Sequence, residues 1–582
     1  MRFSFCPRNT RKKAKNSSLF SVFRLFRGQI SSCVRFGKMQ KVLTAAQMRE
    51  VDRLTTERYG IPSIVLMENA AHSVARVITE KLGGSVKGKS ILILCGKGNN
   101  GGDGAALARI LTAQGATACA ILLGRVDECQ GDARKQFEIL KKLDNAGTID
   151  FWVFDDYSEA DSETIRQGGF DFVVDALFGT GLTRELGDPY DSLLLDLIES
   201  RGAPTLAVDI PSGLNADLPD RIGLVLASNY TVTFTAPKPA NVLVPVAELG
   251  GELFVANIGS PEDLVDEQPS QLYLAGNEDA ARWLMQTEFT SDSYKNKRGH
   301  ALLIAGSENY SGAAVLAGNA AMRSGVGLVT LAAPKECKPE IASRLLPEVI
   351  LTAIDTDEPE LLMKADSIAV GCGLDANDPA IEKLVREVVS AREVPVVVDA
   401  GALWFFNQPN GLLQRANREG GLNQDVVSYA LTDVRASAAE PPLIFTPHEG
   451  EFLRLLGTED KDAIKDRVAA VREFSQRNNV FLILKGERVL IGEPGGKVVV
   501  NPTGNSGLGK AGNGDTLTGI LVGFLAQGAK MNIDVFETVV ASVYVAGMAG
   551  DIAEKKYGKR VMTASDVREC LVEAFSELSA SS

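Results

Sequence analysis

Nine residues, Gly96-Lys97-Gly98-Asn99-Asn100-Gly101-Gly102-Asp103-Gly104, follow the apolar run 90–95 and open the helix-like segment 105–112. A glycine loop between strand and helix suits an anion, because backbone N–H groups can approach closely and the helix N-terminus adds partial positive charge. Gly96, Gly98 and Gly101 meet the G-x-G-x-x-G spacing, a weak signal alone. The oxygen-rich Asn99, Asn100 and Asp103 among them suggest that the loop also serves a hard cation or a ribose hydroxyl. The plainer alternative is a tight turn whose glycines serve backbone geometry alone.

Two further strand ends carry chemistry. One is Asp175-Ala176-Leu177-Phe178-Gly179-Thr180-Gly181-Leu182-Thr183-Arg184-Glu185; the other is Asp209-Ile210-Pro211-Ser212-Gly213. A lone Asp at such a place is usually a cap or turn former. Asp175 and Asp209 beside Asp103, with Asn100 and Ser212, offer oxygen ligands for one hard monovalent or divalent ion and leave a carboxylate for proton transfer. Lys238, in Thr235-Ala236-Pro237-Lys238-Pro239, brings a cation to the same rim.

Late in the chain stands Gly504-Asn505-Ser506-Gly507-Leu508-Gly509-Lys510-Ala511-Gly512-Asn513-Gly514-Asp515. Residues 504–511 fit a P-loop spacing, but Ala511 occupies the position of the hydroxyl that should ligate magnesium. The rival reading makes 512–514 an anion hole at a helix N-terminus and Asp515 the base for an attacking hydroxyl. It is favoured because it gives Asp515 a role and tolerates Ala511. His448 and Glu451 have no third partner for a zinc site, and Lys485-Gly486-Glu487-Arg488-Val489 ends a strand where a nucleotide phosphate could lie.

Positioning these residues requires more than one core, and 582 residues predict two to four domains. Apolar runs at 91–94, 118–123, 151–154, 170–174, 205–208 and 230–234 alternate with helical patterns. A second series runs through 301–304, 328–332, 367–370, 394–398, 443–445, 481–484, 489–491 and 498–500. The predicted class is α/β, with two doubly wound domains whose ligands bind beyond the carboxyl ends of the strands. The expected organisation is a basic leader over 1–38 outside the fold, a first domain over 40–259, a linker and lead-in over 260–294, and a second domain over 295–580. A polar stretch over 407–442 reads as a surface insertion with no chemistry of its own.

Net charge is −13, and the first 38 residues hold ten Lys or Arg and no acid, leaving −23 on the remainder. So acidic a body argues against nucleic-acid binding. The leader suits either an organelle transit peptide or an upstream start with Met39 as initiator; Arg24 interrupts its apolar run and excludes a secretory core. Eight scattered cysteines without a C-x-x-C predict a reduced, cytoplasmic setting and no zinc site, and no apolar stretch reaches membrane-span length.

The three blocks of the first half, in this order, resemble the epimerase domain of the NAD(P)H-hydrate repair enzymes, a likeness covering about 40–259. It implies that Asn99, Asn100, Gly101, Gly102, Asp103, Gly179, Thr180, Gly181, Leu182, Thr183, Arg184, Glu185 and Asp209 hold the hydrated dinucleotide, and that Asn100, Asp175 and Ser212 hold K⁺. Asp209 is the expected proton-transfer group, with Lys238 second. The later half resembles the ribokinase-like NAD(P)H-hydrate dehydratases over about 295–580, carried by Gly306-Ser307, Tyr310-Ser311-Gly312-Ala313-Ala314, Gly371-Cys372-Gly373-Leu374 and the blocks around His448, Lys485 and Asp515. This resemblance implies that Ala313, Gly373, His448 and Asp515 contact the hydrated nicotinamide nucleotide, and that Lys485, Gly486, Glu487, Arg488, Val489 and Gly514 contact the adenylate. Asn513 departs from the more usual Gly-Thr-Gly-Asp.

The implied substrates are NADH and NADPH hydrates, with ADP or ATP as co-substrate, K⁺ in the first domain and Mg²⁺ in the second. A homo-oligomer without membrane or nucleic-acid partners, in a prokaryotic cytoplasm, is expected. Organelle targeting by the leader is the lesser alternative. Two other classes stay open. A dehydrogenase would need an acidic ribose ligand about twenty residues beyond the glycine loop, where Asp127 and Glu128 come late. A binding module fused to a sugar or vitamin kinase would have no use for three strand-end carboxylates.

Overall fold

The computed structural model describes residues 39–154, 165, 169–200, 202–354, 364–406 and 440–580. The leader and most of the expected insertion lie outside them. Two sheets organise the rest. The seven-stranded sheet is parallel throughout and runs, edge to edge, Asp150–Phe154, Thr117–Leu123, Ser90–Cys95, Phe172–Ala176, Thr205–Val208, Tyr230–Phe234, Glu252–Ala256. Its central strands are buried on both faces, which is why they read as unbroken apolar runs. Strand order reverses between Ser90–Cys95 and Phe172–Ala176, so a crevice opens beyond their carboxyl ends, where the loops at 96 and 177 begin.

The second sheet has eleven strands, in the order Gln40–Lys41, Leu272–Leu274, Val498–Val500, Leu490–Gly492, Phe481–Leu484, Leu443–Phe445, Val396–Val398, Ser367–Val370, His300–Ile304, Leu328–Ala333, Ile350–Ala353. It is parallel from Phe481–Leu484 to Ile350–Ala353 and turns antiparallel through the hairpin Leu490–Gly492.

Two expectations need correction. The stretch 260–294 is folded rather than a linker: it holds the helix Glu262–Asp266, a strand within the second sheet and the helix Asn277–Gln286. Burial explains this, since Leu264 is packed among Leu43, Met48, Val51 and Leu54, and Trp283 stacks on Phe524 at 4.0 Å. Gln40–Lys41, assigned by sequence to the first domain, is hydrogen-bonded into the second sheet beside Leu272–Leu274. The helix Val535–Tyr557 is long and apolar enough to cross a membrane, although the sequence showed no such stretch. Most of it is buried in this fold, where it packs on Asn513–Met531 and Asn277–Gln286.

Candidate active sites

In the first sheet, Asp175 sits one residue before the end of its strand and is fully buried. Its Oδ1 accepts from Ser212 Oγ at 2.6 Å and from the Leu177 N–H at 3.2 Å, while Oδ2 accepts from the Ser212 N–H at 2.8 Å. Burial still pushes its carboxyl above the usual range despite these bonds, and no cationic side chain offsets it. Asn100, two residues into its helix, hydrogen-bonds to neither Asp175 nor Ser212; its Nδ2 is buried without a partner. Asn100 Oδ1 and Asp209 Oδ2 instead converge on Gly179, where an added Cβ would lie 3.2 and 3.0 Å from them.

Asp209 follows Thr205–Val208 and holds φ at 69°, a left-handed conformation costly for a residue with a side chain and common where function demands it. Its Oδ1 accepts from Lys238 Nζ at 2.6 Å and from Thr233 Oγ1 at 2.9 Å, and Asn241 Nδ2 donates to its carbonyl. Lys238 is 2 % exposed and spends its other N–H groups on Thr233 Oγ1 and the Phe234 carbonyl. This is a buried, hydrogen-bonded ion pair at the strand ends, with the Asp209 Oδ2 turned toward Gly179. Burial, then the charges of Asp209 and Asp52, push the half-buried Asp103 well above the usual carboxylate range. Asp52, on the helix Ala45–Tyr59, is pushed up to about 6 by its surroundings and by Asp209, against the pull of Lys238.

The loop 179–185 lies open, with Thr183, Arg184 and Glu185 exposed and Leu182 buried. The glycines of the first loop divide. Cβ atoms on Gly96 and Gly101 would meet the Leu177 and Gly96 carbonyls at 2.0 and 1.8 Å, so these two serve close backbone packing, whereas Gly98 faces open space.

The second site is built from consecutive strand ends. Gly371 to Gly373 follow Ser367–Val370, Asp399 follows Val396–Val398, Thr446 to His448 follow Leu443–Phe445 and Lys485 follows Phe481–Leu484. The helix Asn513–Met531 starts here, capped by Gly512 in the left-handed conformation. Lys485 Nζ donates to Asp399 Oδ1 at 2.8 Å and lies 3.3 Å from where a Cβ on Gly514 would be. Thr518 Oγ1 donates to Asp399 Oδ2 at 2.8 Å. Burial alone would raise Asp399, but the Lys485 ammonium and donated hydrogen bonds outweigh it and hold its carboxyl low. Asp515, half-buried in the first helical turn, is pushed up to about 6 by burial and then by the charge of Asp399.

Other expected contacts fall into place unevenly. Ala313 and Gly373 touch, a Cβ on Gly373 lying 2.8 Å from that of Ala313. His448 is exposed and caps the helix Glu449–Leu456, its Nδ1 accepting from the Glu451 N–H at 3.2 Å. Glu487 is exposed, Arg488 points back to the Pro502 carbonyl at 2.6 Å, and Val489 packs on the core, so Gly486, Arg488 and Val489 offer backbone rather than side chains. Lys510 Nζ donates to the Arg560 and Met562 carbonyls at 2.7 and 2.9 Å, which leaves the P-loop reading without its lysine. Asp399, overlooked in the sequence, was signalled only by its place directly after an apolar run.

Known proteins match both halves. The NAD(P)H-hydrate dehydratase family model matches residues 301–572, and that of the YjeF-related protein N-terminus matches residues 63–240. The bifunctional NAD(P)H-hydrate repair enzyme Nnr of Moorella thermoacetica is 37 % identical over 543 residues, covering 91 % of this chain and 96 % of the relative. The chain belongs to the bifunctional NAD(P)H-hydrate repair enzymes. Its relative in Thermofilum pendens, of the same name, is 32 % identical over 92 % of this chain and 97 % of its own length. Among solved structures, an ADP/ATP-dependent NAD(P)H-hydrate dehydratase from Bacillus subtilis, co-crystallised with ATP/Mg²⁺, is 28 % identical over 52 % of this chain and 98 % of that one, with a TM-score of 0.43. The two family models fall on different sheets: residues 63–240 hold most strands of the seven-stranded sheet, and residues 301–572 hold most of the eleven-stranded one.

Proposed function

We propose that the first site epimerises NADH or NADPH hydrated at nicotinamide C6 and that the second dehydrates the S epimer at the expense of ADP or ATP. In the first, Asp209 and Lys238 handle the proton at or near the carbinol carbon, while residues 99–103 and 179–185 receive the dinucleotide. In the second, Asp515 takes the proton of the C6 hydroxyl as that oxygen attacks the terminal phosphorus of the nucleotide. The nucleotide keeps the bridging oxygen of the broken P–O bond; the C6–O bond then breaks to release phosphate while the adjacent ring carbon gives up a proton to solvent, forming the double bond of the reduced ring. Gly514 and the backbone of 485–489 would cradle the nucleotide, and Ala313, Gly373 and His448 would border the nicotinamide side.

The observation that carries this reading is Asp515 in the first turn of a capped helix, next to Lys485 and with a carboxyl pushed up to about 6. A general base works best with a pKa near the operating pH.

K⁺ fits the first site. Asp175 is a buried carboxylate raised by desolvation with no cationic partner, and Ser212 Oγ, Asn100 Oδ1 and nearby carbonyls are oxygen donors suited to a weakly charged ion. There it would supply fixed positive charge beside the dinucleotide. Replacing K⁺ with a bulky organic cation should slow epimerisation, and equal rates in both buffers would remove the assignment. Mg²⁺ fits less well as a resident ion. Ligand atoms of Cys372, Asp399 and Asp515 lie within 4.8 Å of one another, but Asp399 is paired with Lys485 and the Cys372 thiol is pushed well up by burial. That donor set is no cage for a hard ion, so magnesium belongs with the nucleotide phosphates.

Incubating mixed-epimer NADH hydrate with ADP or ATP and following NADH absorbance tests the proposal. Full recovery requires both sites, and recovery of only the S fraction would withdraw the epimerase.

A further inference from the structure

We propose that Asp399 is the positioning residue of the dehydration site, fixing the Lys485 ammonium with one carboxylate oxygen and, through Thr518, the helix that carries Asp515 with the other. The proposal rests on the reading of Asp515 as the base and adds a residue that neither the motifs nor the family likeness singled out.

The geometry is specific. Asp399 is 1 % exposed, at the end of a strand buried along its length. Both of its oxygens are committed: Oδ1 accepts from Lys485 Nζ at 2.8 Å, and Oδ2 accepts from Thr518 Oγ1 at 2.8 Å, with the Cys372 Sγ 3.8 Å away. Thr518 lies on the same helix as Asp515, so one carboxylate ties the lysine's strand end to the helix that carries the base. Gly371 supports the arrangement from the next strand: at φ 132°, it brings backbone so near that an added Cβ would lie 1.8 Å from the Asp399 carbonyl.

The groups facing Asp515 are Asp399 and Cys372, whose ligand atoms lie within 4.8 Å of its carboxylate, and Lys485, two strands from Asp399 in the sheet; Glu451, 3.9 Å from Lys485, and the exposed His448 stand behind them. Burial and the Asp399 charge raise Asp515, while Cys372 and Lys485 oppose them. Since a base must be deprotonated to act, dehydration should fall as pH drops through the raised value of about 6. Removing the Asp399 charge leaves Lys485 unopposed, and both changes move the Asp515 pKa down.

The test is the pH profile of dehydration of the S epimer by the full chain. Asp399→Asn should shift the acid limb of kcat to lower pH by about one unit or more and cut kcat at neutral pH roughly 10-fold or more. An acid limb unmoved from that of the parent would overturn the proposal, however large the loss of rate. Should Asp399→Asn fail to fold, Thr518→Val and Thr518→Ser decide. The valine variant, lacking the donor to Asp399, should lose kcat several-fold at unchanged nucleotide KM, and the serine variant should keep it; equal rates in the two would overturn the proposal. Asp515→Asn separates this inference from the reading beneath it. A variant that still dehydrates shows that Asp515 is not the base, whereas a dead Asp515→Asn beside an unshifted Asp399→Asn profile removes only the role of Asp399.

Discussion

Single side chains separate the two activities. Asp209→Asn should stop conversion of the R epimer while dehydration of supplied S epimer continues, because Asp209 lies at the seven-stranded sheet and Asp515 at the other. The change also leaves Lys238 buried without its counter-charge, a loss of about 3–5 kcal/mol when one partner of a buried pair is removed. Dehydration by the same preparation therefore serves as the control, and loss of both activities in folded protein would sink the separation. At the second site, Asp515→Asn should lower dehydration ~10²- to 10⁴-fold, ~3 to 5 kcal/mol of barrier, with nucleotide affinity little changed. Lys510→Ala should be much milder, since Lys510 spends its ammonium on two backbone carbonyls. A dead Lys510→Ala beside an active Asp515→Asn would restore the P-loop. Asp175 and Asp209 were legible because each ends an apolar run with a glycine turn four residues on, and Asp515 because it closes a glycine-rich run at a helix start. Asp399 also ends an apolar run, with Gly401 two residues on, but the apolar residues 402–406 follow it, and only its pairing with Lys485 and Thr518, far off in the chain, reveals its place.

At the scale of elements, the decisive parts are the turns beyond parallel strands. Gly179 faces the gap between Asn100 and Asp209, where its missing Cβ leaves room. Gly179→Ala places a methyl about 3 Å from a carboxylate oxygen of Asp209. Its φ is not in the left-handed region, so little backbone strain is added. Epimerisation should fall ~10-fold or more, as a small displacement of reacting groups does, while the thermal midpoint shifts little. A near-normal rate would mean that substrate does not enter between Asn100 and Asp209. Most strands of both sheets were readable from sequence because strands covered on both faces run continuously apolar. Leu272–Leu274 was not, being three residues beside a Pro-Ser stretch, and Gln40–Lys41 is two residues held by pairing alone. Ile350–Ala353 and Glu252–Ala256 escaped notice as half-exposed edge strands with weak apolar character.

At the scale of the whole molecule, the two catalytic halves are not beads on a flexible string. Val42 and Val242, both before residue 260, are buried in the same apolar cluster as Leu302, Phe405 and Phe445. The stretch read as a linker supplies part of the second fold: Leu272–Leu274 pairs with Val498–Val500, and Trp283 stacks on Phe524 and donates to Thr538 Oγ1 at 3.1 Å. The boundary at 295 expected from sequence should consequently fail in a fragment. A chain of 295–580 loses a Trp contact worth about 3–5 kcal/mol, against a total domain stability of roughly 5–15 kcal/mol. It also turns the fully buried Val498–Val500 into an exposed edge, a template for aggregation. A fragment of 271–580 keeps the strand and the Trp-bearing helix, forgoing the two-residue pairing of Gln40–Lys41 and the packing of Met39, Val42, Val242, Leu243 and Leu253. It should be soluble and dehydrate S epimer with a lowered thermal midpoint, while 295–580 should be recovered aggregated. Equal solubility and equal midpoints for the two fragments would show that residues 271–294 are dispensable to the second fold after all.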